Sequence, residues 1–105
     1  MVNGLAWAAG LFEGEGCISL HPQYKSVRLQ MTQSDYDVLQ MMQSICGGSI
    51  DPKSNKDKPA HYKPLWQWRL NRAEYVYALL EKFLPYFGTR RAYVAQNALD
   101  KLDGI

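Results

Sequence analysis

Residues 3–32 read NGLAWAAGLFEGEGCISLHPQYKSVRLQMT, and the hydrophobic period changes once inside this stretch. From Asn3 to Gly14 apolar side chains fall around nearly the whole circumference of a helix, the pattern of a helix covered on more than one side, with Asn3 as a candidate N-cap. From Cys17 onward the period becomes two. Ile18 and Leu20 alternate with Cys17, Ser19, His21 and Gln23, and Val27, Leu29 and Met31 alternate with Ser26, Arg28, Gln30 and Thr32. The segment therefore predicts a buried helix feeding a β-hairpin with one apolar and one polar face.

The same order recurs downstream. Ser34 with Asp37 makes a capping-box-like start, Val38, Leu39, Met42 and Ile45 recur at helical spacing, and Gly47 stands where a C-cap belongs, which predicts a helix over about 35–46. Ser49-Ile50-Asp51 reads as a short strand, the polar stretch Pro52 to Pro59 as an exposed loop, and Tyr62 to Leu70 as a second strand. Asn71 with Glu74 repeats the capping pattern for a helix ending at Pro85, and a last helix over about 90–102 presents Ala92, Ala95, Leu99 and Leu102. The predicted order is α-β-β-α-β-β-α-α, an α+β fold in one domain over residues 1–105 with no strict internal repeat.

A chain of 105 residues, 47% apolar, can bury one core and no more. Its net charge of +2 favours an anionic partner without requiring one. Cys17 and Cys46 form no Cys-x-x-Cys pair and have no companions for a zinc site, so two reduced thiols are expected. His21 and His61 are likewise too isolated to suggest zinc, and read as a groove contact and a loop residue. No basic stretch leads into an apolar run, and no run is long enough to span a bilayer, so a soluble, untargeted chain with no membrane partner is expected.

Chemistry concentrates in Glu13-Gly14-Glu15-Gly16. Two carboxylates end the buried helix where its dipole already favours a cation, a sensible place for hard oxygen donors to Mg²⁺, although a lone Glu-x-Glu is more often simply solvated. Gly10 and Gly14 lie four apart on one helical face and cost about 1 kcal/mol each relative to alanine in a helix interior. Close approach of a second helix backbone would compensate, and the chain has no second copy of the segment. A homodimer packed through Trp7, Gly10, Leu11 and Gly14 is therefore expected, with the two Glu15 carboxylates near its two-fold axis.

Ala9-Gly10-Leu11-Phe12-Glu13-Gly14-Glu15-Gly16, preceded by Trp7 and followed by Cys17-Ile18-Ser19, resembles the LAGLIDADG motif in its AGLFEGEG form. The resemblance continues through LQMTQSD at 29–35, QWRL at 67–70 and the LPYFGTRR segment at 84–91. It implies a single-motif LAGLIDADG homing endonuclease of the αββαββα type, whose four-stranded antiparallel sheet binds DNA. Such a protein cuts a near-palindromic duplex as a homodimer, by Mg²⁺-dependent phosphodiester hydrolysis, inside the cell or organelle that holds its target. Carried onto this sequence, Glu15 becomes the metal-binding catalytic acid and Glu13 a peripheral, helix-ending residue. Gly16 offers a backbone carbonyl to the metal site, and Gln33 organises water near the scissile phosphate. Where the family often has a lysine this chain has Arg90, next to Arg91. Arginine holds its proton, so Arg90 suits charge stabilisation better than base catalysis.

A sheet of this width fits a major groove, where all four base pairs are distinguishable. The polar strand positions are Ser19, His21, Gln23, Lys25, Ser26, Arg28 and Gln30 on the first hairpin, and Ser49, Asp51, Lys53, Lys63, Gln67 and Arg69 on the second. Arg28 and Arg69 suit guanine, and Gln30 and Gln67 suit adenine. Trp66 and Trp68 alternate with Gln67 and Arg69 and are expected to face the core. The competing reading is a cleavage-deficient DNA- or RNA-binding protein, an intron-splicing maturase or regulator on the same scaffold. A purely structural dimerisation module would leave the polar strand faces unexplained.

Overall fold

The computed structural model describes residues 4–21, 26–53 and 64–103. Asn3, Gln23, Lys25, His61, Lys63 and most of the Pro52–Pro59 stretch lie outside the described residues. Helix α1 runs Gly4–Glu15, followed by β1 (Gly16–Leu20), β2 (Val27–Gln33), α2 (Tyr36–Cys46), β3 (Ser49–Lys53), β4 (Leu65–Leu70), α3 (Ala73–Phe83), a 3-10 turn (Leu84–Tyr86) and α4 (Thr89–Asp103). The strands form one antiparallel sheet in the order β1-β2-β4-β3. Each helix-plus-hairpin thus contributes one central and one edge strand, and the two hairpins meet along β2 and β4.

Alternation along the strands decides the layers. Val27, Leu29 and Met31 of β2 and Trp68 and Leu70 of β4 are buried, with Ile18, Ile50 and Trp66 packed against them. The helices cover this face, and extents of 44 × 42 × 23 Å match one sheet and one helical layer. Leu20 lies on this face, opposite Val27, but at the end of β1 it is 41% exposed.

Phe12 is the centre of the core. Its fully buried ring lies 5.7 Å from Phe83, 6.0 Å from Phe87 and 6.4 Å edge-on from Trp68, joining α1 to α3, the turn before α4 and the sheet. Trp68 satisfies its buried indole N–H on the Gly47 carbonyl at 2.7 Å, at the end of α2, where Gly47 has φ 76°.

Three local expectations are corrected. The caps are Asp35 for α2 and Arg72 for α3, neither makes a side-chain capping bond, and so neither capping box forms. Backbone entry angles and packing of the amphipathic faces start these helices instead. Strand β3 also runs past Asp51 through Pro52 and Lys53, where a loop was expected. Proline is tolerated because β3 is an edge strand, with one side that needs no ladder bond.

Candidate functional site

Glu15 ends α1 and Gly16 opens β1, so the carboxylate stands at the junction of helix and sheet. It is exposed and makes no ion pair among the described residues. Glu13 is occupied differently. Its Oε1 accepts the Gly88 N–H at 3.3 Å, at the start of α4, and its Oε2 lies 3.8 Å from the Arg91 Nε. Arg91 also donates from Nη2 to the Glu13 carbonyl at 3.1 Å, with its guanidinium 5.5 Å from the Phe12 ring centroid. Glu13 and Arg91 therefore clamp the last turn of α1 to the first turn of α4.

That clamp brings Arg90 to the end of the domain that carries Glu15. Arg90 is exposed and makes no ion pair among the described residues. Gln33 arrives from the sheet: Gly16 pairs with Met31, so Gln33, two residues further along β2, lies about 7 Å past the start of β1. By register it shares the parity of Met31 and pairs with Trp66, which places it on the helix-bearing side of the sheet, half-exposed. Glu15, Gly16, Gln33 and Arg90 thus belong to one end of the molecule.

Gly16 has a structural reason of its own. A Cβ there would lie 2.3 Å from the Phe12 ring, so the absent side chain makes room for the core aromatic of the same chain. Gly10 and Gly14 differ, since a Cβ on either would meet nothing within 4 Å. Trp7 and Leu11, on the same helical face, are half-buried against the core, as is Leu5, while Ala8, Ala9 and Phe12 are fully covered. The domain covers more of α1 than its composition suggested, and the open part is centred on the two glycines.

Among the described residues no group of three or more His, Cys, Asp or Glu gathers to hold a metal ion. At the end of α1 the chain offers the exposed Glu15 carboxylate, a hard oxygen donor in a favourable dipole, with the Gly16 backbone carbonyl next to it. Those donors fit a cation whose shell is completed from outside the chain.

The outer sheet face is assembled in rows by the strand register. Cys17, Gln30, Arg69 and Ser49 form one row; Thr32, Gln67 and Asp51 form the next; Ser19 stands opposite Arg28, and Lys53 opposite Leu65. His21 and Ser26 are exposed at the loop end of the first hairpin, where the Lys101 ammonium of α4 bonds the His21 carbonyl. Asp51 and Arg69, read from the sequence as separate contacts, form an ion pair, with Asp51 Oδ2 bonded to Arg69 Nη2. Cys17 and Thr32, which strand parity assigns to this face, were left out of the expected DNA-contacting positions. Arg91 was missed because its partner is 78 residues away.

Residues 5–83 match the family model described as a LAGLIDADG-like domain, α1 through α3. The chain belongs to the LAGLIDADG family. No curated protein matches it in sequence. Among solved structures it is similar to the homing endonuclease I-CvuI in complex with the I-CreI target, at TM-score 0.72 and 23% identity over 94% of this chain and 65% of that one. It is also similar to the homing endonuclease I-TnaI, at TM-score 0.70 and 18% identity over 98% of this chain and 74% of that one. A third is the LAGLIDADG homing endonuclease I-GzeII in complex with a DNA target, at TM-score 0.71 and 16% identity over 99% and 37% respectively. The fold is that of LAGLIDADG homing endonucleases, and the chain spans about two thirds of the I-CvuI length. The family match ends at Phe83, so Arg90 is placed by the fold alone. No helix among the described residues is long and apolar enough to cross a membrane.

Proposed function

We propose that the chain is a homodimeric, site-specific DNA endonuclease that hydrolyses both strands of a near-palindromic duplex with Mg²⁺. The observation that carries the proposal is the position of Glu15. It is exposed and without an ion-pair partner among the described residues, beside the polar sheet face and at the end of the helix side left open by Gly10 and Gly14.

A second α1 laid along Gly10 and Gly14 brings a second Glu15 to the same end, one for each strand. Trp7 and Leu11 complete that contact. The outer sheet faces of the two copies then lie along successive parts of one groove and read half-sites of mirrored sequence.

Glu15 and the Gly16 carbonyl would hold the Mg²⁺, which when bound supplies positive charge against the phosphate and eases deprotonation of water. The chain's own residues do the rest. Gln33 orients the attacking water through its amide, and Arg90 places a fixed positive charge against the charge developing on phosphate oxygen. Glu13, engaged with Gly88 and Arg91, fixes the turn from which Glu15 projects.

The structurally similar homing endonucleases I-CvuI and I-GzeII, each seen in complex with a DNA target, support the duplex as substrate. The test is selection of cut molecules from a random duplex library in Mg²⁺, repeated in Ca²⁺. Near-palindromic sites cut in Mg²⁺ and bound uncut in Ca²⁺ are expected. Tight, selective binding with no cutting in Mg²⁺ would instead establish the cleavage-deficient binding protein.

A further inference from the structure

On the DNA-facing side of the sheet, Asp51 is the only acidic group among the described strand residues, a costly choice on a face proposed to meet phosphates. Its placement explains it. Register puts Asp51 opposite Gln67 and diagonal to Arg69, and its Oδ2 accepts a hydrogen bond from the Arg69 Nη2.

Arg69 is held from several sides. It stands in the row between Gln30 and Ser49, its side chain is 36% exposed, and its Nε is buried without a hydrogen-bond partner. The bond to Asp51 uses one of five guanidinium hydrogens. Both hydrogens of Nη1 and the second of Nη2 remain, enough for the paired donors that the O6 and N7 of guanine accept.

We infer that Asp51 is a positioning residue that fixes the Arg69 guanidinium for one guanine in each half-site and does not itself contact a base. The inference rests on the reading of this sheet as a duplex-binding face. A free arginine explores many rotamers and takes phosphate oxygens as readily as base edges, whereas one held by a carboxylate has its orientation settled before DNA arrives. The pair also offsets part of the Asp51 charge, so the acidic side chain repels phosphates less than an unpaired one would.

Asp51→Asn keeps the shape and removes the charge. Binding selections from a random duplex library in Ca²⁺ would be run for the unmodified protein, Asp51→Asn, Arg69→Ala and the double variant, with thermal unfolding as a folding control. The expected result is loss of guanine preference at one position per half-site, by about tenfold, in all three variants, with the other positions unchanged. Asp51→Asn should bind non-selected duplex more tightly than the unmodified protein, because a repelling charge is gone, and adding it to Arg69→Ala should change the preference no further.

A change in preference at a second position on Asp51→Asn alone would show that Asp51 reads a base itself and would overturn the inference. So would an unchanged profile for Asp51→Asn when Arg69→Ala alters one position. If Arg69→Ala and Asp51→Asn both leave every position unchanged, the sheet is not the reading face, and the inference fails with that reading.

Discussion

Cys17 and Cys46 carry the same thiol in opposite surroundings, and the contrast gives a direct probe of the outer face. Cys46 sits at the end of α2, where burial pushes its thiol up to about 11 against a smaller opposing pull from Lys82. Near neutral pH it stays protonated and poorly reactive. Cys17 is exposed in the row with Gln30 and Arg69. A bulky maleimide should therefore label Cys17 first and block duplex binding, while Cys17→Ser binds normally and resists the reagent. Equal labelling of both thiols, or normal binding by protein labelled at Cys17, would contradict that placement. This residue was legible in the sequence through strand parity alone. The pair formed by Asp51 and Arg69 was not, since single-sequence patterning assigns faces but not which side chains on a face reach each other.

At the scale of elements, the fold follows from the change of period after Gly16, which fixed helix and hairpin, and from the repeat of that order at α2. The sequence could not show how α1 meets α4. Gly88 and Arg91 are far from Glu13 along the chain, and the burial that joins them comes from Phe12 packing on Phe83 and Phe87. The capping boxes misled for a related reason: Ser34 and Asn71 have the right chemistry, but tertiary packing starts each helix beyond them. Arg91→Ala removes the bond to the Glu13 carbonyl and leaves Glu13 Oε2, already buried without a hydrogen bond, with no cation beside it. Because both side chains keep some contact with water, the expected loss is about 1–2 kcal/mol of unfolding free energy, read by urea titration. A larger fractional loss of cutting than of duplex affinity should accompany it, since the turn that bears Glu15 is loosened. An unchanged midpoint would show that the clamp contributes nothing.

At the scale of the whole molecule, the glycine face of α1 separates stability from association. Within one chain Gly10 has open space where a side chain would go, and leucine is favoured over glycine in a helix by somewhat under about 1 kcal/mol. Gly10→Leu should therefore leave the isolated domain as stable as before, or slightly more so. In a dimer with closely apposed α1 backbones the same side chain has nowhere to go. Sedimentation velocity at micromolar concentration should show a dimer for the unmodified chain and a folded monomer for Gly10→Leu. Dimers of equal strength from both would place the interface elsewhere, and monomer alone for the unmodified chain, with and without DNA, would refute the dimer.

The central claim is that Glu15 acts on phosphates through a bound divalent cation, and one comparison tests it most directly: duplex affinity and single-turnover cutting by Glu15→Gln on one selected site in Mg²⁺. The substitution keeps size and hydrogen-bonding capacity and removes the charge that a hard cation requires. Affinity should persist or rise, because a carboxylate facing phosphates has been neutralised, while cutting falls by orders of magnitude. Undiminished cutting by Glu15→Gln would contradict the account.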